Sequence, residues 1–352
     1  MTITSLDNFG HASGSISMSE LRDYYGQSGA VSLSSNLSGS SNPVPNSLPS
    51  SGSALAFSDY RSANRILKKK GTTETKTSGS SWSPAQSGCL QYNVYVVGGG
   101  GSGGGHSTND GREKVASGGA AGGTAYRRYS VQDHSITSAS ISISDGGYAV
   151  SYAGGIGTVT SGRNGGTTTF TPNGSGTAIS ATGGSRGFGG RQGAINATVT
   201  TTLPVGEASS ATTISAWGTC PASLGGSGSG GESNYTGGHG PGLSIGSDQS
   251  GATGGGAPNL GSGGVNGPLA SGSGYVAGLR SAAPTKPSEW GSDVSNTFQG
   301  GYAVQNSSGY AGGGGSGYLG AGGGGAASEN ASGSTGAGSS GAVFVTYYEL
   351  NT

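Results

Sequence analysis

Glycine constrains this chain more than any other residue, because it supplies 78 of the 352 positions. That share is about three times the usual 7%. Many of the glycines form runs such as 98–105, which reads GGGGSGGG. Glycine loses more conformational entropy on folding than any other residue. A folded chain this rich in glycine must therefore gain from backbone segments that approach more closely than side chains would allow.

Polyproline II helices packed side by side are one structure that permits such an approach. They have no internal hydrogen bonds, so their N–H and C=O groups bond to neighbouring segments. Residues 90–97, 126–131, 136–144 and 341–348 are rich in β-branched and aromatic residues, which predicts strands and a small sheet at the base. The sequence thus predicts a mostly β protein with extended glycine-rich segments, for which polyproline II is one solution.

Charge and hydropathy exclude several classes of protein. The 16 Lys and Arg residues balance the 16 Asp and Glu residues, so the chain cannot gain affinity by neutralising phosphates and no nucleic-acid partner is expected. No apolar run reaches 18 residues, so no membrane insertion is expected. Residues 1–10 lack the basic and apolar regions of a secretory signal. Hydrophobic residues, at 31%, are too few for a large helical core.

No pattern in the sequence predicts a metal or a cofactor. Cys89 and Cys220 lie far apart, and the four histidines lack metal-binding spacing. Two buried thiols are the simplest interpretation of the cysteines, with a disulfide left open. Residues 99–104 fit G-x-G-x-x-G, but no helical pattern follows to hold a pyrophosphate. We therefore expect no cofactor.

The N-terminal part contains two similar short elements, ISMSELR at 16–22 and LAFSDYR at 55–61. In each, Ser and an acid favour the start of a helical turn. The acid and the Arg two positions later point apart, so they suit pairing with another copy or chain. The candidate attachment residues are Ile16, Met18, Glu20, Arg22, Phe57, Asp59, Tyr60 and Arg61.

Composition divides the chain into two regions. Residues 38–53 are rich in Ser, Asn and Pro, as is typical of a linker. The lysines at 68–70 are interpreted as a solvated end that closes the first region. We expect an elongated attachment segment at 1–80 and a glycine-rich β domain at 81–352.

The order of motifs over residues 14–63 resembles a recurring segment of bacteriophage tail and tail-fibre proteins. The match consists of the I-S-M-S-E-L-R element, V-S-L-S, V-P-N, a Pro-Ser-Gly turn and the L-A-F-S-D-Y-R element. Ala56 departs from the serine common in that family. The resemblance implies a region that attaches to the virion.

Residues 81–349 resemble the glycine-rich domain of phage tail-fibre and tail-tip proteins. The matching elements, in order, are VYVVG at 94–98, the glycine run at 118–123, the strand at 124–131, the glycine-rich turn at 154–157, TTTF at 167–170, ATGG at 181–184 and the strand at 341–347. Residues 194–217 are longer than the family pattern, which leaves the topology open there.

Two functions fit this resemblance. The first is a tail-fibre receptor-binding protein that displays loops to the host surface. The second is a purely structural tail, baseplate or decoration protein without receptor contact. Aromatic residues are enriched among the residues that anchor binding interfaces. The candidate receptor-binding residues are therefore Trp290, Phe298, Tyr302 and Tyr310. Packing within a sparse core is the alternative role for these aromatics.

An enzymatic function is not expected. A polysaccharide-cleaving tailspike needs paired carboxylates at a defined separation. Glu289 and Asp293, on either side of Trp290, are the nearest approach to such a pair, and a polar loop is the simpler interpretation. The expected partners are other virion tail proteins and a host receptor, either protein or polysaccharide. From the resemblance we also expect a homotrimer, made in the host cytoplasm and located in the virion tail.

Overall fold

The computed structural model describes eleven stretches of the chain. They are residues 67–108, 114–131, 136–154, 158–192, 218–220, 222–245, 250–272, 276–295, 297–305, 315–329 and 331–350. The predicted attachment residues between 16 and 61 lie outside the described residues, as does Tyr310.

Over the described residues the fold is mostly β, as predicted, and a short 3-10 helix spans Ser288–Trp290. The strands in chain order are β1 (Leu67–Lys69), β2 (Glu74–Lys76), β3 (Ser81–Trp82), β4 (Gln91–Val97), β5 (Gly105–Thr108), β6 (Lys114–Ala116), β7 (Thr124–Ser130), β8 (Ala139–Ser142), β9 (Ser151–Tyr152), β10 (Thr158–Thr160), β11 (Thr168–Pro172), β12 (Ile179–Ala181), β13 (Arg191–Gln192), β14 (Gly218–Cys220), β15 (Gly228–Ser229), β16 (Ser233–Tyr235), β17 (Leu243–Ile245), β18 (Ser250–Thr253), β19 (Leu269–Gly272), β20 (Val276–Leu279), β21 (Ala303–Gln305), β22 (Ala326–Glu329), β23 (Gly333–Ser334) and β24 (Ala342–Leu350). Within the described residues, no helix is long and apolar enough to cross a membrane.

A six-stranded sheet, here called the base sheet, contains the three longest strands. Its order is β1-β24-β4-β7-β16, with β2 also paired to β24. The predicted strands at 90–97, 126–131 and 341–348 are confirmed as β4, β7 and β24. Alternation along these strands sends side chains to both faces of the sheet. Both faces are covered, because each carries its own hydrophobic cluster.

The cluster on the first face packs the base sheet against a second sheet, of order β15-β12-β11-β8-β3. Trp82 sits at its centre, with ring centroids 5.3 Å from Tyr92 and 5.4 Å from Phe170. The cluster on the opposite face contains Phe344 and Trp290. Aromatic residues thus supply most of the largest fully buried side chains.

Glycine-rich segments continue directly from the base-sheet strands. Segment 98–104 follows β4, segment 117–123 leads into β7, and segment 336–341 leads into β24. None of the three is assigned as strand. Their backbone groups bond instead to other segments of the same kind, which include 162–166, 183–190 and 320–325. We call this set of segments the glycine bundle.

Hydrogen bonds in the glycine bundle repeat every three residues. Gly98, Gly101 and Gly104 donate to segment 117–123, Gly99 and Ser102 donate to segment 162–166, and Gly100 and Gly103 donate to segment 336–341, all at 2.8–3.0 Å. Successive amides of one segment therefore point to three different neighbours in turn. A repeat of three residues is the period of a polyproline II helix.

Close approach explains why the bundle requires glycine. A Cβ atom added to Gly100 would lie 2.0 Å from the carbonyl oxygen of Ala321. One added to Gly119 would lie 2.0 Å from the oxygen of Gly101, and one added to Gly322 would lie 2.0 Å from the oxygen of Gly119. Real Cβ atoms essentially never come within 3.0 Å of another heavy atom. The space that a side chain would need is filled by neighbouring backbone.

The bundle connects the base to a second set of small sheets at the opposite end of the molecule, here called the far end. Segment 98–104 begins after β4 in the base and ends at β5, which belongs to a sheet of order β10-β5-β22-β21-β20. Two three-stranded sheets lie beside it, β13-β14-β17 and β19-β18-β6. The seven residues of segment 98–104 thus connect the two ends of the bundle.

The first described strands correct the predicted domain boundary. β1 and β2 both pair with β24, and β3 pairs with β8. Residues 67–82 therefore belong to the glycine-rich domain, and the boundary moves from residue 80 to before residue 67. The lysine run is not a solvated end either, because Lys69 binds Asp293 at 2.6 Å and Lys70 binds Glu349 at 2.8 Å.

Candidate functional site

Three connections between strands begin and end at far-end strands. Residues 109–113 join β5 to β6, residues 193–217 join β13 to β14, and residues 246–249 join β17 to β18. These connections lie outside the described residues, but the strands that flank them belong to the far end. The chain enters the described structure at Leu67, which pairs with Leu350 in the base sheet. The first described strand and the strands that flank these three connections are therefore at opposite ends of the bundle.

Trp290 is not an exposed binding residue, which corrects the sequence-based prediction. Its side chain is fully buried, and its ring stacks on Phe344 with centroids 4.4 Å apart. Tyr95 contacts it edge-on at 5.2 Å. The ring covers the second face of the base sheet, because that face presents apolar residues that would otherwise meet water. The alternative role, core packing, is the one Trp290 has.

Phe298 is also fully buried and belongs to the same cluster. Its φ angle of 54° is in the left-handed region, where a bulky residue is a genuine outlier. Surrounding contacts hold it there: its ring lies 5.9 Å from Trp290 and 5.7 Å from Phe344. The prediction that Phe298 contacts a receptor is therefore wrong in the same way as that for Trp290.

Tyr302 is the one described candidate that reaches solvent, since its side chain is half-buried. It lies in the glycine bundle just before β21, and the guanidinium of Arg280 sits 5.7 Å from its ring centroid. Its ring also fills the space beside Gly315, where an added Cβ would lie 2.1 Å from the ring. Tyr302 therefore combines a packing contact with an exposed edge.

Glu289 and Asp293 fix the 281–295 loop to the base sheet. Glu289 Oε2 accepts hydrogen bonds from Asn93 Nδ2 at 2.6 Å and from the Tyr348 hydroxyl at 2.5 Å. Asp293 Oδ2 accepts from Lys69 Nζ at 2.6 Å and from the Thr73 amide at 2.7 Å. The bond from Lys69 keeps the pKa of Asp293 below its ordinary value. These partners give both carboxylates an anchoring role.

A cavity of about 340 Å³ opens beside this loop. Tyr95 and Tyr235 contribute aromatic lining, and Lys286 and Glu289 contribute charged groups. Sequence reasoning missed this cavity, because Tyr235 is on β16 and Tyr95 is on β4. Only the pairing of both strands with β7 brings the two tyrosines to one side of the sheet. No local sequence signal marks that juxtaposition.

The two cysteines are unbonded and buried. Burial raises the pKa of Cys89 to about 11 and that of Cys220 to about 12. Both thiols are therefore protonated at neutral pH, and a thiol rather than a thiolate is a poor nucleophile. The interpretation of two buried thiols holds, and neither residue has the environment of a reactive cysteine.

Among the residues that the structure describes, no three His, Cys, Asp or Glu side chains come together as metal ligands. No protein-family model matches the chain, and none of the curated proteins matches its sequence. The function therefore has to be argued from the sequence pattern and from the geometry of the molecule.

Proposed function

We propose that this chain is a tail-fibre receptor-binding protein of a bacteriophage. Residues 1–66 attach it to the virion, and the far end faces the host cell. The glycine bundle acts as a rigid spacer between the two. The proposed partners are other virion tail proteins and a receptor on the host surface.

One observation carries this proposal. The chain enters the structure at the base sheet, whereas the strands that flank 109–113, 193–217 and 246–249 lie at the far end. A protein that has to reach from a particle to a surface needs its attachment and its recognition loops at opposite ends. Connecting segments carried on a rigid scaffold are also where binding residues concentrate.

The finer structural features belong to the proposal as well. We take the bundle segments to be polyproline II helices, because the hydrogen-bond direction repeats every three residues. We take the protein to be a homotrimer on the resemblance to phage fibres. A sedimentation mass equal to one chain would refute the trimer without affecting the spacer role.

Competition for adsorption tests the function. The purified full-length chain and a variant that begins at Leu67 are each mixed with susceptible cells before phage is added. Both are expected to reduce adsorption, because both carry the far end. The truncation falls before β1, since removal of residues 67–80 would take β1 and β2 out of the base sheet.

The second candidate is a purely structural tail, baseplate or decoration protein. The burial of Trp290 and Phe298 favours it, because two of the proposed receptor anchors serve the core instead. If neither protein reduces adsorption while both have native circular dichroism and a native sedimentation profile, the receptor-binding proposal fails and the structural role is supported. Labelling the chain on intact virions would then locate it.

A further inference from the structure

One side of the glycine bundle carries two arginines that are stacked on aromatic rings. The guanidinium carbon of Arg163 lies 5.2 Å from the ring centroid of Tyr148, and that of Arg186 lies 5.5 Å from the centroid of Phe188. Both distances are within the range of cation–π contacts. Tyr148 is 61% exposed, which is unusual for a large aromatic side chain. We call these four residues the arginine face.

The two arginines are neighbours because their segments are hydrogen-bonded to each other. The Gly162 amide donates to Gly187 at 2.9 Å, and the Gly165 amide donates to Gly184 at 3.0 Å. Between these bonds, the Arg186 amide donates to Asn164 Oδ1 at 2.9 Å. The arginines therefore sit on adjacent backbones at a fixed register.

Buried serines hold the backbone of the arginine face in place. The Arg163 amide donates to Ser102 Oγ at 2.7 Å, and its carbonyl accepts from the Ser102 amide at 2.8 Å. The Phe188 amide donates to Ser117 Oγ at 2.9 Å, and its carbonyl accepts from the Ser117 amide at 2.8 Å. Because this backbone is already ordered, little of its conformational entropy would be lost when a ligand binds, which favours affinity.

Neither arginine forms an ion pair with another residue that the structure describes. The ion pairs among the described residues include Arg128 with Glu232 at 2.9 Å, but none involves Arg163 or Arg186. Both arginines are exposed, and the guanidinium carbon of each lies over an aromatic ring. Two guanidinium groups on neighbouring segments thus present N–H donors at the surface.

We propose that the arginine face binds an acidic polysaccharide through its carboxylate groups. A guanidinium group matches a carboxylate with two parallel hydrogen bonds. Two arginines on neighbouring segments suit a polymer that repeats its anionic group. Tyr148 and Phe188 add apolar surface at low entropic cost.

The choice of a cell-surface polymer rests on the proposed function, whereas the anion-binding chemistry rests only on these side chains. The arginine face lies on the part of the bundle that adjoins the far end, because Arg163 follows β10 by three residues and Phe188 precedes β13 by three. Binding here would hold the protein along a polysaccharide layer while the far end engages its own receptor. Failure at this face would leave the far-end role intact.

Calorimetric titration of the full-length protein tests the inference. The probe is polygalacturonate, an uronic acid polymer, at physiological ionic strength, with dextran as the uncharged comparison. The wild type is expected to bind polygalacturonate and not dextran. Arg163→Gln combined with Arg186→Gln should weaken binding about tenfold or more and reduce its dependence on salt.

Arg280→Gln provides the matched control. Arg280 is likewise exposed and stacked on an aromatic ring, that of Tyr302. It belongs to a different part of the bundle, and its loss changes the net charge by the same amount as one arginine of the face. This variant should bind like the wild type. Arg163→Lys with Arg186→Lys keeps the charge but loses the planar fork, so intermediate binding is expected.

Four outcomes would overturn the inference. The wild type could fail to bind polygalacturonate, or it could bind dextran equally well. The Arg280→Gln variant could lose as much affinity as the variants of the face, which would indicate general attraction to charge. Single-stranded DNA could bind more tightly than polygalacturonate at the same face, which would make nucleic acid the better ligand. Unchanged thermal unfolding of the double glutamine variant ensures that a loss of binding is not a loss of folding.

Discussion

Substitution of Gly100 by alanine is the sharpest perturbation of the glycine bundle. The added Cβ would lie 2.0 Å from the oxygen of Ala321, so one backbone must move by about 1 Å to restore the 3.0 Å minimum. Three hydrogen bonds depend on the present spacing: Gly100 to Ser339, Gly147 to Gly100, and Ser339 to Ala321, at 2.8–3.0 Å. Backbone cannot rotate out of the way as a side chain can.

The magnitude follows from these contacts. Overpacking of a core costs about 1–3 kcal/mol and occasionally more, and each weakened hydrogen bond costs about 1 kcal/mol. We expect Gly100→Ala to lower the free energy of unfolding by about 4–6 kcal/mol. That is a large part of the roughly 5–15 kcal/mol that holds a typical domain together.

Gly79→Ala is the control variant, because it restricts a left-handed backbone without placing the new methyl group against another atom. Gly79 is exposed, has a φ of +100°, and has nothing within 4 Å of an added Cβ. Its substitution should cost only about 1–2 kcal/mol, the penalty of a left-handed backbone. Denaturant unfolding at one fixed protein concentration, followed by the fluorescence of the buried Trp82 and Trp290, measures both variants. If Gly100→Ala proves no more destabilising than Gly79→Ala, the steric argument for the bundle is wrong.

Three further predictions concern the base and the thiols. Trp290→Ala should lower the free energy of unfolding by about 3–5 kcal/mol, because it removes a buried aromatic ring. If this variant kept native stability but no longer competed for adsorption, Trp290 would be a receptor-binding residue after all. Glu74 is half-buried, which raises its pKa, but hydrogen bonds from Lys76, Tyr347 and Trp82 together outweigh this and hold the pKa below its ordinary 4.5. The stability that ionised Glu74 contributes is therefore complete above pH 4.5 and is lost as the pH falls through the pKa of the folded state. Glu74→Gln should make the free energy of unfolding depend less on pH below 4.5. An unchanged pH dependence in that range would contradict the role given to Glu74. Neither Cys89 nor Cys220 should react with a thiol reagent in the folded protein at pH 8, since their pKa values are about 11 and 12; fast labelling before unfolding would refute that burial.

The base sheet could be predicted from the sequence, because β4, β7 and β24 have the alternation and β-branched content of strands. The need for close backbone packing could also be predicted, because the conformational entropy that so many glycines lose on folding has to be offset by contacts that only glycine permits. The partners of each glycine segment could not, because every run looks alike and the bonds join residues as distant as Gly100 and Ser339.

The prediction of binding residues failed for a related physical reason. Trp290 and Phe298 lie in a stretch of mixed composition, which is typical of an exposed loop. A domain with so few apolar residues uses its aromatics to cover the base sheet, so composition alone could not separate the two roles. Arg163 and Arg186 carried no such signal, because their proximity arises only when segments 162–166 and 183–190 pair.

The central claim is that the glycine bundle is an ordered spacer whose backbone hydrogen bonds hold the base and the far end apart. Amide hydrogen exchange resolved along the chain tests this directly. The amides of segments 98–104 and 117–123 should be protected to a degree similar to those of β4 and β7, because they are buried and bonded to neighbouring segments. Exchange of these glycine amides at the rate of an unfolded chain, while β4 and β7 remain protected, would contradict the account.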